Sequence, residues 1–199
     1  MIKWICPIIP LLLVFTACNN TAKNKEGKTV IGDTAHYYPL STYLQEQISE
    51  NDLRNLPRTL RYRNNDQTSQ QLLNRDSFLL LTNLFTDACD YFSKHKYLFS
   101  ETVMHDLSTQ SYTLSYRPFQ TEKAELTYVD ILLSENSQLV KRIDIRRSRQ
   151  KMNEIINEHL SWRTDKGFLI TRETETADSS RHSNEVIDVS WEPEKQLPL

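Results

Sequence analysis

The residues best suited to move a proton or hold a metal near neutral pH are the five histidines, His36, His95, His105, His159 and His182. No two of them stand at a metal-ligand spacing such as H-x3-H. His105-Asp106 and Glu158-His159 are adjacent in sequence, and adjacent side chains in a strand point to opposite faces. Two carboxylate pairs occur, Asp87/Asp90 at helical spacing and Glu173/Glu175 on one strand face. Glycoside chemistry would need such a pair held ~5–9 Å apart in a cleft, whereas carboxylates are mostly exposed. Cys89 lies between Asp87 and Asp90, which disfavour a thiolate, and beside an apolar stripe, as a small core residue does. The densest charge is KRIDIRRSRQK. Its Arg142, Arg146, Arg147 and Arg149 are the candidates for contact with an anionic surface. In a strand, Arg142, Asp144 and Arg146 share one face, and Ile143, Ile145, Arg147 and Arg149 share the other. The plainer role of these charges is a solvated face that discourages edge pairing. The expectation is therefore no catalytic set, no metal and no cofactor.

Glycine narrows the chemistry further. The chain has only Gly27, Gly32 and Gly167. Phosphate-cradling loops need several glycines so that backbone amides can approach the anion, and the G-x-S-x-G nucleophile elbow needs two. Neither occurs. The formal net charge of −2 is far from the basic excess of a nucleic-acid binder, so no nucleic-acid partner is expected.

Cys18 stands apart. It ends an apolar run that carries no charge from Trp4 to Phe15, follows Lys3, and is broken by Pro7 and Pro10. A membrane-spanning helix needs ~20 apolar residues, so the run is short for one. A basic start, a short apolar stretch and a small-residue cleavage site form a secretory signal. Thr16-Ala17-Cys18 resembles the lipobox of bacterial lipoproteins, with Phe15 where leucine is usual. The resemblance implies a diacylglyceryl group on the Cys18 sulfur and cleavage before it. Residues 1–17 are then a signal peptide and residues 18–35 a polar tether of roughly 20–24 Å r.m.s. span. Cys89 is the one other cysteine left after cleavage, so no internal disulfide is available.

Residues 36–192 read as one domain, with 193–199 a loose tail. Leu40, Tyr43, Leu44 and Ile48 fall at helical spacing behind Pro39, with Asn51 and Asp52 closing the helix. PRTLRYR is a short edge strand, and Asn64-Asn65-Asp66 a turn. A second helix starts at Asp76 and buries Phe78, Leu81, Phe85, Ala88 and Phe92, flanked by Leu80, Leu84 and Tyr91. From there the period becomes two. SYTLSYR, LTYVDILL, LVKRIDIRR, EHLSWRT, GFLITRE and EVIDVSW are strands, with turns at Glu135-Asn136-Ser137 and Asp165-Lys166-Gly167. The expected fold is α+β: two N-terminal helices packed on an antiparallel meander of five to six strands. Tyr112, Tyr116, Tyr128, Trp162, Phe168 and Trp191 are expected to pack against the second helix, or to line an apolar ligand pocket.

The order of lipobox, tether, YYPLSTYLQEQI, second helix, LTYVDILL, LVKRIDI, HLSWRTDKGFLI and VIDVSW resembles uncharacterised envelope lipoproteins of Bacteroidetes-type bacteria. The resemblance implies a lipid-anchored protein of the cell envelope, at the outer membrane on its periplasmic or surface face, and brings no activity to any residue. The leading functional expectation is a membrane-anchored, non-enzymatic binding or scaffold module, its partners the membrane through Cys18 and an envelope protein or apolar ligand. The alternatives are a carrier of a lipid-like ligand in a sheet curled around a helix, and an envelope hydrolase.

Overall fold

The computed structural model describes residues 37–121, 124–176 and 181–191. The expected signal peptide (1–17), Cys18, the rest of the expected tether and the expected tail (193–199) lie outside the described residues. Helix α1 (Leu40–Arg54) is followed by strands β1 (Arg58–Asn64) and β2 (Gln67–Leu72), helix α2 (Arg75–Lys94) and a 3-10 turn at Lys96–Leu98. The remaining strands are β3 (Phe99–Asp106), β4 (Ser111–Pro118), β5 (Leu126–Ser134), β6 (Val140–Lys151), β7 (Glu154–Arg163), β8 (Gly167–Thr176) and β9 (His182–Trp191).

The architecture corrects the sequence expectation. One antiparallel sheet of nine strands, in the order β2-β1-β9-β8-β7-β6-β5-β4-β3, replaces the meander of five to six. The helices are not both N-terminal to the sheet, because the β1–β2 hairpin stands between them and joins the sheet by pairing β1 with β9. The physical reason is edge chemistry. QTSQQL of β2 is exposed at every residue, so no apolar alternation marks it as a strand. β3, at the other edge, buries only Phe99 fully.

Helix α2 lies on one face of this sheet. It is capped by Asn74, whose Oδ1 accepts from the Ser77 amide at 2.8 Å. Asp76, the expected cap, instead sits in the first turn, where its charge suits the helix dipole. Phe78, Phe85, Ala88 and Phe92 are buried as expected, together with Thr82 and Cys89. Leu81 is half-buried and Leu80 exposed. The buried arc is thus rotated toward the Thr82–Cys89 flank, where α1 lies and Ser41 Oγ donates to Asp90 at 2.5 Å.

Two aromatic clusters sit between α2 and the sheet. Phe85 contacts Trp162 and Phe168 edge-on, with centroids 5.5 and 5.3 Å away, and Trp162 stacks on Phe168 at 5.6 Å. Phe78 and Trp191 complete that group, and the Arg58 guanidinium lies 4.1 Å over Phe78. At the other end of α2, Phe92 packs on Phe99, Tyr116 and Tyr37. Each fully buried Phe contributes about 1.5–3 kcal/mol, so these clusters dominate the packing energy. Gly167 opens β8 at φ +141°, and a Cβ there would stand 2.0 Å from the Val189 carbonyl oxygen. Only glycine fits that approach of β8 to β9.

Candidate functional site

Strand β6 divides its arginines between the two faces. Arg142 and Arg146 point to the exposed face, with Asp144 between them. Arg147 and Arg149 follow Ile143 and Ile145 on the helix-covered face. The four are therefore not one patch. Arg147 is 2% exposed and lies opposite Glu158 in the β6–β7 register. The Glu158 carboxylate, with no solvent exposure, accepts from Arg147 Nε at 2.5 Å and Arg149 Nη2 at 2.8 Å through one oxygen. Its other oxygen accepts from Arg172 Nε at 2.9 Å. Arg172 reaches on to Glu185 at 2.5 Å, and Glu125 stands 3.6 Å from Arg149.

The result is a cross-strand row, Arg147–Glu158–Arg172–Glu185, spanning β6 to β9 beside the core. Burial opposes the ionised form of Glu158, and the guanidiniums of Arg147, Arg172 and Arg149 outweigh it, holding its carboxyl below the ordinary value. A surface role for Arg147 would require breaking this network. Its place in the fold is structural.

On the exposed face, Asp144 gathers three donors. Arg142 Nε lies 2.6 Å from it, His159 Nε2 3.3 Å, and the Ser161 hydroxyl bonds to it as well. Burial raises the Asp144 pKa, and these partners outweigh it, so the net direction is down. Ser161, Asp144 and His159 are not arranged as a nucleophile relay. Ser161 and His159 each bond to the Asp144 carboxylate, and no hydrogen bond joins the two to each other. His159 also lines a depression of about 400 Å³ with Arg146, Asn157 and Glu173. Arg146 and Arg117 flank the Tyr128 ring at 5.1 and 4.7 Å.

His105 and His95 are similarly engaged, while His182 is exposed at the start of β9. His105 Nε2 is 2.9 Å from Glu135, and His95 Nδ1 is 2.9 Å from the Tyr91 carbonyl oxygen. Cys89 is buried, and burial together with Asp90 pushes its thiol pKa far up, so it stays protonated. Among the described residues no group of three or more His, Cys, Asp or Glu side chains could hold a metal.

A groove of about 700 Å³ lies between α1 and the β5–β6 and β7–β8 turns. Tyr43 fastens α1 to this corner, its hydroxyl 3.0 Å from Thr164 Oγ1. Lys141, Arg142, Arg163 and Lys166 bring positive charge to the groove, opposed by Asp165, and Leu132, Leu139 and Val140 supply apolar surface. Arg163 is engaged by Asp188 at 2.7 Å, yet its Nε is buried without a hydrogen-bond partner. Lys141 and Lys166 form no ion pair among the described residues. Of the sequence candidates only Arg142 reaches this groove. Tyr43, Lys166 and Arg163 were missed because turns separated by some thirty residues meet only when β6 and β7 pair.

Comparison with family models, curated proteins and solved structures yields no match.

Proposed function

We propose that this chain is a membrane-anchored, non-enzymatic binding module of the bacterial envelope, held by a diacylglyceryl group on Cys18. The observation that carries the anchor is the charge-free run from Trp4 to Phe15, ending in Thr16-Ala17-Cys18 and turning polar at once. Among the described residues no helix is long and apolar enough to cross a membrane. A binding role suits the side-chain arrangement, since His95, His105 and His159 are tied to structural partners and the Cys89 thiol is buried. Recognition then falls to surface features, first among them the groove beside α1, whose unpaired lysines and adjoining leucines suit an anionic partner segment with an apolar element. The carrier alternative has less support, because Phe78, Phe85, Trp162, Phe168 and Trp191 fill the space between α2 and the sheet that a lipid-like ligand would need.

The test is the intact mass of the membrane-extracted protein together with fractionation. The mature chain should begin at Cys18 and carry the mass of the lipid, and Cys18→Ser should move the protein to the soluble fraction. A mature chain starting elsewhere, or Cys18→Ser remaining firmly membrane-bound, would refute the reading.

A further inference from the structure

We infer that the corner formed by the 3-10 turn and the end of β4 is a bilayer-contacting surface, with Tyr97 and Phe119 entering the headgroup region beside Lys94 and Lys96. The inference rests on the anchored reading above and adds to it which side of the domain faces the lipid. Its starting point is where the tether joins the fold. Tyr37, the first described residue, is fixed to this corner. Its hydroxyl donates to the Phe99 carbonyl oxygen at 2.9 Å, and its ring stacks on Tyr116 at 5.8 Å and meets Phe92 edge-on at 6.2 Å. Tyr37 thus marks this corner as the N-terminal end of the described domain. The eighteen residues between Cys18 and Tyr37 span at most roughly 65 Å when fully extended, and far less on average in any other state.

The surface around that entry point has the chemistry of a membrane interface. Tyr97 is 68% exposed and Phe119 63% exposed. Their backbones lie side by side at this corner, since the Phe119 amide donates to the carbonyl oxygen of Leu98, the residue after Tyr97, at 2.9 Å. His95 lies 6.3 Å from the Tyr97 ring and 4.3 Å from Tyr91, continuing the aromatic surface back to α2. Lys96 Nζ stands 5.8 Å over the Tyr37 ring, and neither Lys94 nor Lys96 forms an ion pair among the described residues. Of the described carboxylates nearby, Glu101 accepts from the Tyr116 hydroxyl at 2.7 Å and Glu125 lies 3.6 Å from Arg149. An aromatic ring with one polar edge, Tyr97, together with the apolar ring of Phe119 and unpaired lysines, suits the boundary between the headgroups and acyl chains of an anionic bilayer. Two rings and two lysines bind such a surface only weakly when the protein is free. With the chain already held at the bilayer, the second contact becomes intramolecular and is favoured by effective concentration.

The experiment uses the full chain, lipidated in cells and reconstituted into vesicles of phosphatidylcholine and phosphatidylglycerol with brominated acyl chains, which quench tryptophan by contact. Tyr97→Trp and Phe119→Trp each place a reporter in the patch. Leu53→Trp is the control: Leu53 is 82% exposed in the last turn of α1, about 20 Å along the helix from Leu40. The unsubstituted protein supplies the background of buried Trp162 and Trp191. The expected result is loss of emission at positions 97 and 119 with none at 53. The loss should diminish when Lys94 and Lys96 are both replaced by Gln. Equal quenching at all three positions, or quenching at none, in protein shown by mass to carry lipid on Cys18 would overturn this inference and leave the anchored reading standing. Absence of lipid on Cys18 would overturn both.

Discussion

Glu158 and Arg147 face each other across β7 and β6, and neither side chain is open to solvent. The pair occupies positions that continue the apolar rows Ile143–Trp162 and Ile145–Leu160, so the helix-covered face changes from hydrocarbon to charge within one step along the strands. Removing one partner of such a pair leaves a buried charge without compensation. Glu158→Gln, which takes from buried Arg147 its one close carboxylate, should cost about 3–5 kcal/mol in urea unfolding. A loss under about 0.5 kcal/mol, the usual range for surface changes, would show that water reaches the row.

The same carboxylate sets a pH dependence. Glu158 and Asp144 both have pKa values held below their ordinary 4.5 and 3.8. A depressed folded pKa contributes stability that is fully present above the unfolded value and is lost as pH falls through the folded one. Stability should therefore be level with respect to these groups from pH 7 down to about 5 and then decline. In Glu158→Gln the decline should be shallower, since one of the two groups no longer titrates. An acid limb of unchanged steepness in the variant would assign the effect to other carboxylates.

Helix α2 offers a graded test of its buried face. Phe85→Ala removes the ring that joins Trp162 to Phe168 and should cost about 3–5 kcal/mol. Leu81, half-buried on the flank, should cost clearly less when replaced by Ala, and exposed Leu80 should stay within about 0.5 kcal/mol. Chemical denaturation of the three variants gives the order directly. Leu81→Ala equal to Phe85→Ala would mean that the helix is rotated relative to the sheet.

Gly167→Ala probes the turn into β8. The new methyl would meet the Val189 carbonyl oxygen at 2.0 Å, at a φ that side chains avoid. The substitution should destabilise by more than about 1 kcal/mol, against the usual gain when glycine is replaced at a permissive site. Thermal unfolding decides the sign.

Much of this was legible beforehand. The turns at Asn65 and at Asp165, both with positive φ, were marked by their residue types, and the alternation in β4 to β9 was strong because those strands have a dry face and a wet one. The faces of Arg142 and Arg147 followed from period two alone. What stayed hidden depends on pairing. β2 is wet on both faces and has no alternation to read. The partners of Arg147 lie on other strands, at positions equidistant from the Met152 and Asp165 turns, so the row emerges only by reflecting the sequence about each turn in succession. The β6–β7 turn itself contains neither glycine nor proline, which concealed the first of those reflections.

The pairing of β1 with β9 has a consequence for the order in which the protein comes into being. Arg58–Asn64 find their inner neighbour in His182–Trp191, residues made more than a hundred positions later. Until that last strand exists, the first hairpin has only its own two strands, and an isolated hairpin is at best marginally stable in water. Closing so long a loop is also slow, since its entropy must be lost before the pairing repays it. The sheet is thus built to be completed late. While the chain is still being synthesised the sheet lacks the strand that pairs with β1, and it remains unfinished until His182–Trp191 has been made.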